Sequence, residues 1–194
     1  MRASDYRRFL RRLPVMFFAG LAIWMLLRPA LDSAVSASSQ LLIRAFEYPR
    51  VTRLVAADHR AEIRRSDFRA DSKIPTVALT AVHFNTLILL ALYLSLPRPF
   101  SRTQLERLLM GWSVLFVLQT LNLLFHVKFL YATALGPWST AHYSALARNI
   151  YGFGRYFTDL PGQFGAPFLI WIGFNWDHVV RLVSRDASRV ARKK

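Results

Sequence analysis

Two sets of polar residues sit at spacings suited to chemistry. Thr76, Thr80 and His83 recur at i, i+4 and i+7, and Gln119, Asn122 and His126 recur at i, i+3 and i+7, so each set occupies one face of a helix. Imidazole changes charge nearest neutral pH, and in a polar pocket a neutral His83 would bind a ligand or relay a proton. The competing reading is structural: the same residues would fix helix packing through interhelical hydrogen bonds. Arg148 and Arg155 stand seven residues apart and share a face. Their guanidinium forks suit an anion or the terminal carboxylate of a client chain, or they anchor a helix among lipid headgroups. The pair Asp177-His178 reads as an interfacial anchor, with Asp177 joined to Arg181 one turn further on, or as a site of proton transfer.

The candidate binding residues are therefore His83, Gln119, Asn122, His126, Arg148 and Arg155, and no residue is assigned a catalytic role. The chain has no cysteine, which excludes a thiolate nucleophile, a disulfide and a cysteine metal site. Two histidines without a carboxylate at ligand spacing do not make a metal centre. No Gly-x-Ser-x-Gly elbow, Walker loop or His-Glu-x-x-His motif is present, so no cofactor is expected. A membrane-embedded enzyme or small transporter component using the six residues above is the alternative to a protein that acts by association.

Positioning these residues falls to four apolar stretches, at about 13–35, 75–96, 108–127 and 164–183. Each approaches the roughly 20 residues that cross about 30 Å of hydrocarbon. Lipid offers no water to an open amide, so each span is expected to be a helix. The expected fold is an all-α integral membrane protein of four transmembrane helices, forming one membrane domain over residues 1–194. Arginines at positions 2, 7, 8, 11 and 12, at 98, 102 and 107, and at 181, 185, 189 and 192, followed by Lys193 and Lys194, all fall on one side if the chain crosses four times. The positive-inside rule makes that side cytoplasmic, with both termini inside and the loops 36–74 and 128–163 outside. This accounts for much of the net charge of +15 through topology and anionic lipid, without nucleic acid as a partner.

The apolar run Val15 to Leu27 covers only about 20 Å as a helix, which puts Arg28, Pro29 and Asp32 near the outer boundary, where Arg28 and Asp32 would pair across one turn. A second reading of this segment is a cleaved signal peptide, with Val35-Ser36-Ala37 as its small-residue site. Beyond it, Leu31, Val35, Leu42 and Phe46 have helical spacing, and the helix is expected to continue along the membrane surface until Pro49 stops it. From Val51 to Arg65 the residues alternate about a turn at Asp58-His59, predicting a small outer hairpin that needs outside support. The linked polar faces of the second and third spans are expected to meet in the outer half of the bilayer, with His83 about 12 Å deep and Gln119 about 13 Å deep at helical rise. Ala141 to Phe157 is expected to be an interfacial helix presenting Tyr143, Ile150, Phe153 and Phe157 to headgroups. The fourth span then begins at a Gly/Pro-rich start, Pro161 to Pro167.

Two segments carry a family resemblance: Ile74-Pro75-Thr76-Val77-Ala78-Leu79-Thr80 leading into the second span, and Gly165-Ala166-Pro167-Phe168-Leu169-Ile170-Trp171 leading into the fourth. With the overall layout, they resemble the exosortase H-associated membrane proteins of bacteria. The resemblance implies an accessory in the processing or export of surface proteins, located in the bacterial inner membrane as a multi-pass chain. Its partners would be the lipid bilayer and another integral membrane protein, such as an exosortase, or an exported client. Exosortases resemble transpeptidases that use cysteine, arginine and histidine, so a chain without cysteine implies a companion of the catalyst.

Overall fold

The computed structural model describes residues 3–68, 73–177 and 179–180, with side chains from residue 9 onward. Asp71, His178, the C-terminal arginines and lysines, and the end of the expected fourth span fall outside the described residues, as do the side chains of Arg7 and Arg8.

The protein is mostly helical. Helix α1 spans Ala3–Ala45 and runs through Pro14 and Pro29 without ending, consistent with the tolerance of proline where neighbouring groups satisfy the freed carbonyls. Strands β1 (Thr52–Ala57) and β2 (Arg60–Arg65) form the expected antiparallel hairpin, with Leu54 opposite Ile63 and Ala57 opposite Arg60. Its two turn residues, Asp58 and His59, have φ of 47° and 60°, the left-handed pair that matches the twist of a two-residue hairpin. A third strand, β3 (Thr76–Ala78), pairs with β2. The chain is therefore not all-α, because residues 75–78 join the sheet and leave the second apolar helix to start at Leu79.

That second helix is α2 (Leu79–His83) followed, after Phe84, by α3 (Asn85–Leu94). Helix α4 covers Arg102–Thr133 and a short α5 covers Pro137–His142. Helix α6 (Ala145–Phe157) is capped by the Ser144 hydroxyl, which accepts from the Ala147 amide at 3.2 Å. It passes without a break into a π-helical segment, Thr158–Gly165, and then into α7 (Ala166–Phe174). The expected separation into a surface helix and a span beginning near residue 164 gives way to one helical path. Pro161 lacks an amide hydrogen, and the wider π turn absorbs that interruption.

Among the described residues, two helices are long and apolar enough to cross a membrane: α1 from Phe9 onward, and α4. On α1, Val15, Phe18, Met25 and Leu26 point outward. The buried side of the same helix carries Trp24, Leu31, Asp32, Val35, Ser39 and Ile43. The apolar face of its distal part packs on protein: Val35 and Ile43 are fully buried in a core with Leu54, Ile63, Val127 and Tyr131, while Phe46 is exposed. The sheet accordingly receives its support from α1 and α4. Gln40 on α1 accepts from the Leu54 amide at 2.7 Å, satisfying an edge group of β1. A second core at the other end gathers Leu89, Leu92, Tyr93, Leu115 and Trp171, with Phe9 stacked on Trp171.

Candidate functional site

His83 is the last residue of α2 and is fully buried. Its Nε2 lies 2.8 Å from Asp32 Oδ1, and the Trp24 indole N–H donates to its Nδ1 at 3.1 Å. An indole nitrogen only donates, so His83 Nδ1 is the acceptor and its ring hydrogen sits on Nε2, facing the carboxylate. Asp32 uses its other oxygen, Oδ2, to hold His59 Nδ1 at 2.7 Å. One buried carboxylate thus ties the long helix to the second helix and to the hairpin turn. His59 also accepts the Leu79 amide on its carbonyl at 3.0 Å. These bonds hold a non-glycine residue in a left-handed conformation that ordinarily costs roughly 1–2 kcal/mol. Arg28 does not pair with Asp32: its guanidinium donates to the Thr80 hydroxyl.

The second polar layer lies on the other side of the helix pair. Gln119 Nε2 donates to Asn85 Oδ1 at 2.6 Å and to Thr86 Oγ1 at 2.8 Å. Asn122 Nδ2 donates to Asp159 Oδ1 at 3.0 Å, and His126 Nε2 reaches the same oxygen at 2.7 Å. Arg155 Nε stands 3.6 Å from Asp159 Oδ2, with its guanidinium over the Phe129 ring. Asp159 belongs to the π-helical segment, one turn beyond Arg155.

The expected meeting of the two polar faces takes a different form. Thr76 is exposed in β3 and shares no helix face with His83. His83 turns toward α1, while Gln119 bonds to the neighbouring Asn85 and Thr86. Asn122, His126 and Arg155 converge on Asp159. Arg148 is half-buried and forms no ion pair among the described residues, whereas Arg155 is engaged with Asp159. Sequence reasoning missed Asp32, His59, Trp24, Asn85 and Asp159 as site residues. Asp32 and Asp159 carried a usable signal, since each is an acidic residue beside an apolar stretch.

Between the second layer and the π-helical turn lies a cavity of about 420 Å³, with Asn85, Leu118, Asn122, Pro161, Leu169 and Ile170 in its lining. The π turn widens the helix here, and such turns recur at functional positions. Asn122 Oδ1 and Gln119 Oε1 are buried without a hydrogen-bond partner.

A third cluster fastens the sheet to the helices. Arg65 forms a two-pronged pair with Asp67 at 2.8 and 2.7 Å and a bond to Glu47 at 3.2 Å. Its guanidinium also lies 4.9 Å from the Tyr131 ring centre and 4.8 Å from that of Trp138. The hydrogen bond from Arg65 holds the Asp67 carboxyl below the usual range, and the same bond raises Arg65. Burial pushes the nearby Tyr143 phenol up to about 12. At the opposite end, Arg107 Nη1 is 3.4 Å from Asn175 Oδ1 and Arg107 Nη2 is 4.0 Å from Asp177 Oδ2. The expected partner of Asp177, Arg181, lies outside the described residues. No group of three or more metal-ligating side chains occurs among the described residues.

Comparison with curated proteins and with solved structures gives no match. A family model does match, and it covers residues 3–178, a stretch that contains every polar cluster described above. By that match the chain belongs to the exosortase H-associated membrane protein family.

Proposed function

We propose that this protein is an accessory subunit of the bacterial inner membrane, acting by association with an exosortase or with the exported proteins that an exosortase processes. The observation that carries this reading is how fully the side chains of the Asp32 layer engage one another. Both ring nitrogens of His83 and both oxygens of Asp32 are occupied, leaving neither a free base nor a nucleophile at that layer. A polar layer satisfied in this way acts as a clasp between elements, which is what a scaffold for another protein requires. The family description is consistent with the same role.

The topology that suits this role has four crossings, with both termini in the cytoplasm. Two features support it. Arg107, at the start of α4, engages Asn175 just after α7, as expected if the 95–101 connection and the C-terminal flank share one membrane face. The sheet and the Arg65 cluster lie at the opposite end of α4, beside Tyr131, where they would form the outer surface. The fourth crossing then starts within the continuous helical path from Ala145, and its outward stripe of Leu146, Ile150, Phe153, Phe157, Leu160 and Phe164 faces lipid. Trp24 lies before the small-residue site and is committed to His83, which favours retention of the first helix.

Mild detergent extraction followed by affinity purification of the full chain tests this reading. A stoichiometric exosortase or client should co-purify. Recovery of the chain alone, together with substrate turnover by that isolated chain, would overturn it.

A further inference from the structure

We propose that the open edge of β3 takes up an extended, acidic segment of an exported client as a further strand, with the client's carboxylates held by arginines on the exposed face of the sheet. The inference rests on the accessory reading and on the outward placement of the sheet, and it names what the client presents.

The two edges of the sheet differ. The order β1-β2-β3 leaves β1 and β3 outermost. On β1 the outward amides are occupied: Thr52 N–H donates to Glu47 Oε2 at 3.0 Å and Leu54 N–H donates to Gln40 Oε1 at 2.7 Å. On the other side, Ile63 N–H donates to the Pro75 carbonyl and Leu79 N–H donates to the His59 carbonyl. Bonding alternates along an antiparallel ladder, so in this register the backbone groups of Thr76 and Ala78 point away from β2. Neither amide has a backbone partner among the described residues, and both residues are exposed. Ala78 is the N-cap of α2, which commits its carbonyl to the first helical turn. Thr76 N–H, Thr76 C=O and Ala78 N–H remain, the pattern to which an incoming strand adds.

The exposed face selects the charge. Side chains alternate between the two faces of a sheet: Leu54, Ala61 and Ile63 enter the core, while Arg53, Arg60, Glu62 and Arg64 stand on the other side. Arg53 lies directly opposite Arg64, a like-charge pair that weakens a sheet. Glu62 pairs with Arg64 at 2.6 Å, and Arg53 and Arg60 form no ion pair among the described residues. Arg60 already leans toward the open edge, where its Nη1 donates to Thr76 Oγ1 at 3.4 Å. A carboxylate on an added strand would replace that long bond with a shorter, charge-assisted one. Ala78, opposite Arg60, puts only a methyl group in the way.

Three edge groups hold a short peptide weakly by pairing alone, so the arginines supply both selection and affinity. An anionic lipid headgroup would use the arginines and leave the edge unpaired. An extended acidic peptide uses both.

The test uses the full chain in nanodiscs and three fluorescein-labelled hexapeptides, followed by anisotropy at low salt. One alternates glutamate with valine, the second has glutamine in place of glutamate, and the third is the glutamate peptide N-methylated at every residue. The glutamate peptide should bind about tenfold more tightly than the glutamine peptide, the sum of several modest surface charge pairs. N-methylation should weaken it by about tenfold or more, the equivalent of one or two hydrogen bonds. The double variant Arg53→Gln, Arg60→Gln should bring the glutamate peptide down to the glutamine level while leaving the glutamine peptide unchanged, which shows that the sheet remains folded. Thr76→Pro removes an outward amide from an edge strand, where proline is tolerated, and should weaken both unmethylated peptides.

Full affinity of the methylated peptide would mean that the arginines hold any nearby anion, a headgroup included, without strand pairing, and would overturn the inference. So would a glutamate preference that survives loss of both arginines, or equal binding of the glutamate and glutamine peptides to the unmodified chain. None of these results bears on the accessory reading, which stands or falls by co-purification.

Discussion

Asp32 accepts from His83 on one oxygen and from His59 on the other, so its removal strands two imidazoles at once. Asp32→Leu should cost about 2–3 kcal/mol, the range for losing a buried hydrogen bond to a charged group and stranding its donor. Asp32→Asn, which keeps one acceptor oxygen, should cost distinctly less. Thermal unfolding of the detergent-solubilised variants, followed by protease resistance of the hairpin, measures both. Trp24→Phe leaves His83 Nδ1 without its donor and should lose about 1–3 kcal/mol. A different residue-scale effect belongs to Asp67. Its folded carboxyl is held low by the Arg65 hydrogen bond, so the associated stability is fully present above the ordinary aspartate value near 4. It is lost as pH falls through the lower folded value. Asp67→Asn should therefore melt below the parent protein at neutral pH, and the gap should close on acidification. The gap should be small, since Asp67 is about half exposed and solvent screens the pair.

Among the elements, the helical path from Ala145 to Phe174 depends on glycines where it crosses α4. A Cβ added to Gly154 would stand 2.5 Å from the Phe125 ring, and one added to Gly152 would stand 3.1 Å from Phe129. Gly154→Ala should push α6 away from α4 and destabilise the protein by about 1–3 kcal/mol, as overpacking does. Gly173→Ala meets nothing within 4 Å, and should be neutral or raise stability by up to about 1 kcal/mol through helix propensity. Melting of the two variants side by side separates helix–helix contact from intrinsic helicity. At the sheet, β3 takes residues that hydropathy alone assigns to a span. The Ile63 amide donates to the Pro75 carbonyl at 2.9 Å, and this bond together with the β2 pairing draws the chain out of the helix before Leu79.

For the whole molecule, the proposed topology predicts that reporter fusions at Met1 and Lys194 are both active only as cytoplasmic reporters, while a reporter inserted at the Asp58-His59 turn reads as external. Opposite compartments for the two termini would exclude an even number of crossings. The two long apolar helices and the family relationship make a membrane protein of this chain, and buried core layers hold its helices and sheet together. One core joins α1, the sheet and α4 at one end, while the other joins α3, α4 and α7 at the opposite end.

Local pattern was sufficient to expose the two long apolar helices, the hairpin with its Asp58-His59 turn, and the placement of Gln119, Asn122 and His126 on one helix, because these depend on periodicity and on the conformational preferences of neighbouring residues. The family likeness was also legible in the segments at residues 74–80 and 165–171. Which polar groups meet was decided only by tertiary packing. Asp32 and His83 are 51 residues apart, and Asn122 and Asp159 are 37 apart. At those separations a hydrogen bond depends on how α1 and the path through α6 lie against the central helices, a rotation and register that sequence spacing within one helix does not encode. The same packing turns Arg28 from Asp32 to Thr80, commits β3 to the sheet, and opens the cavity at the π turn, where proline and a neighbouring helix together determine the course of the backbone.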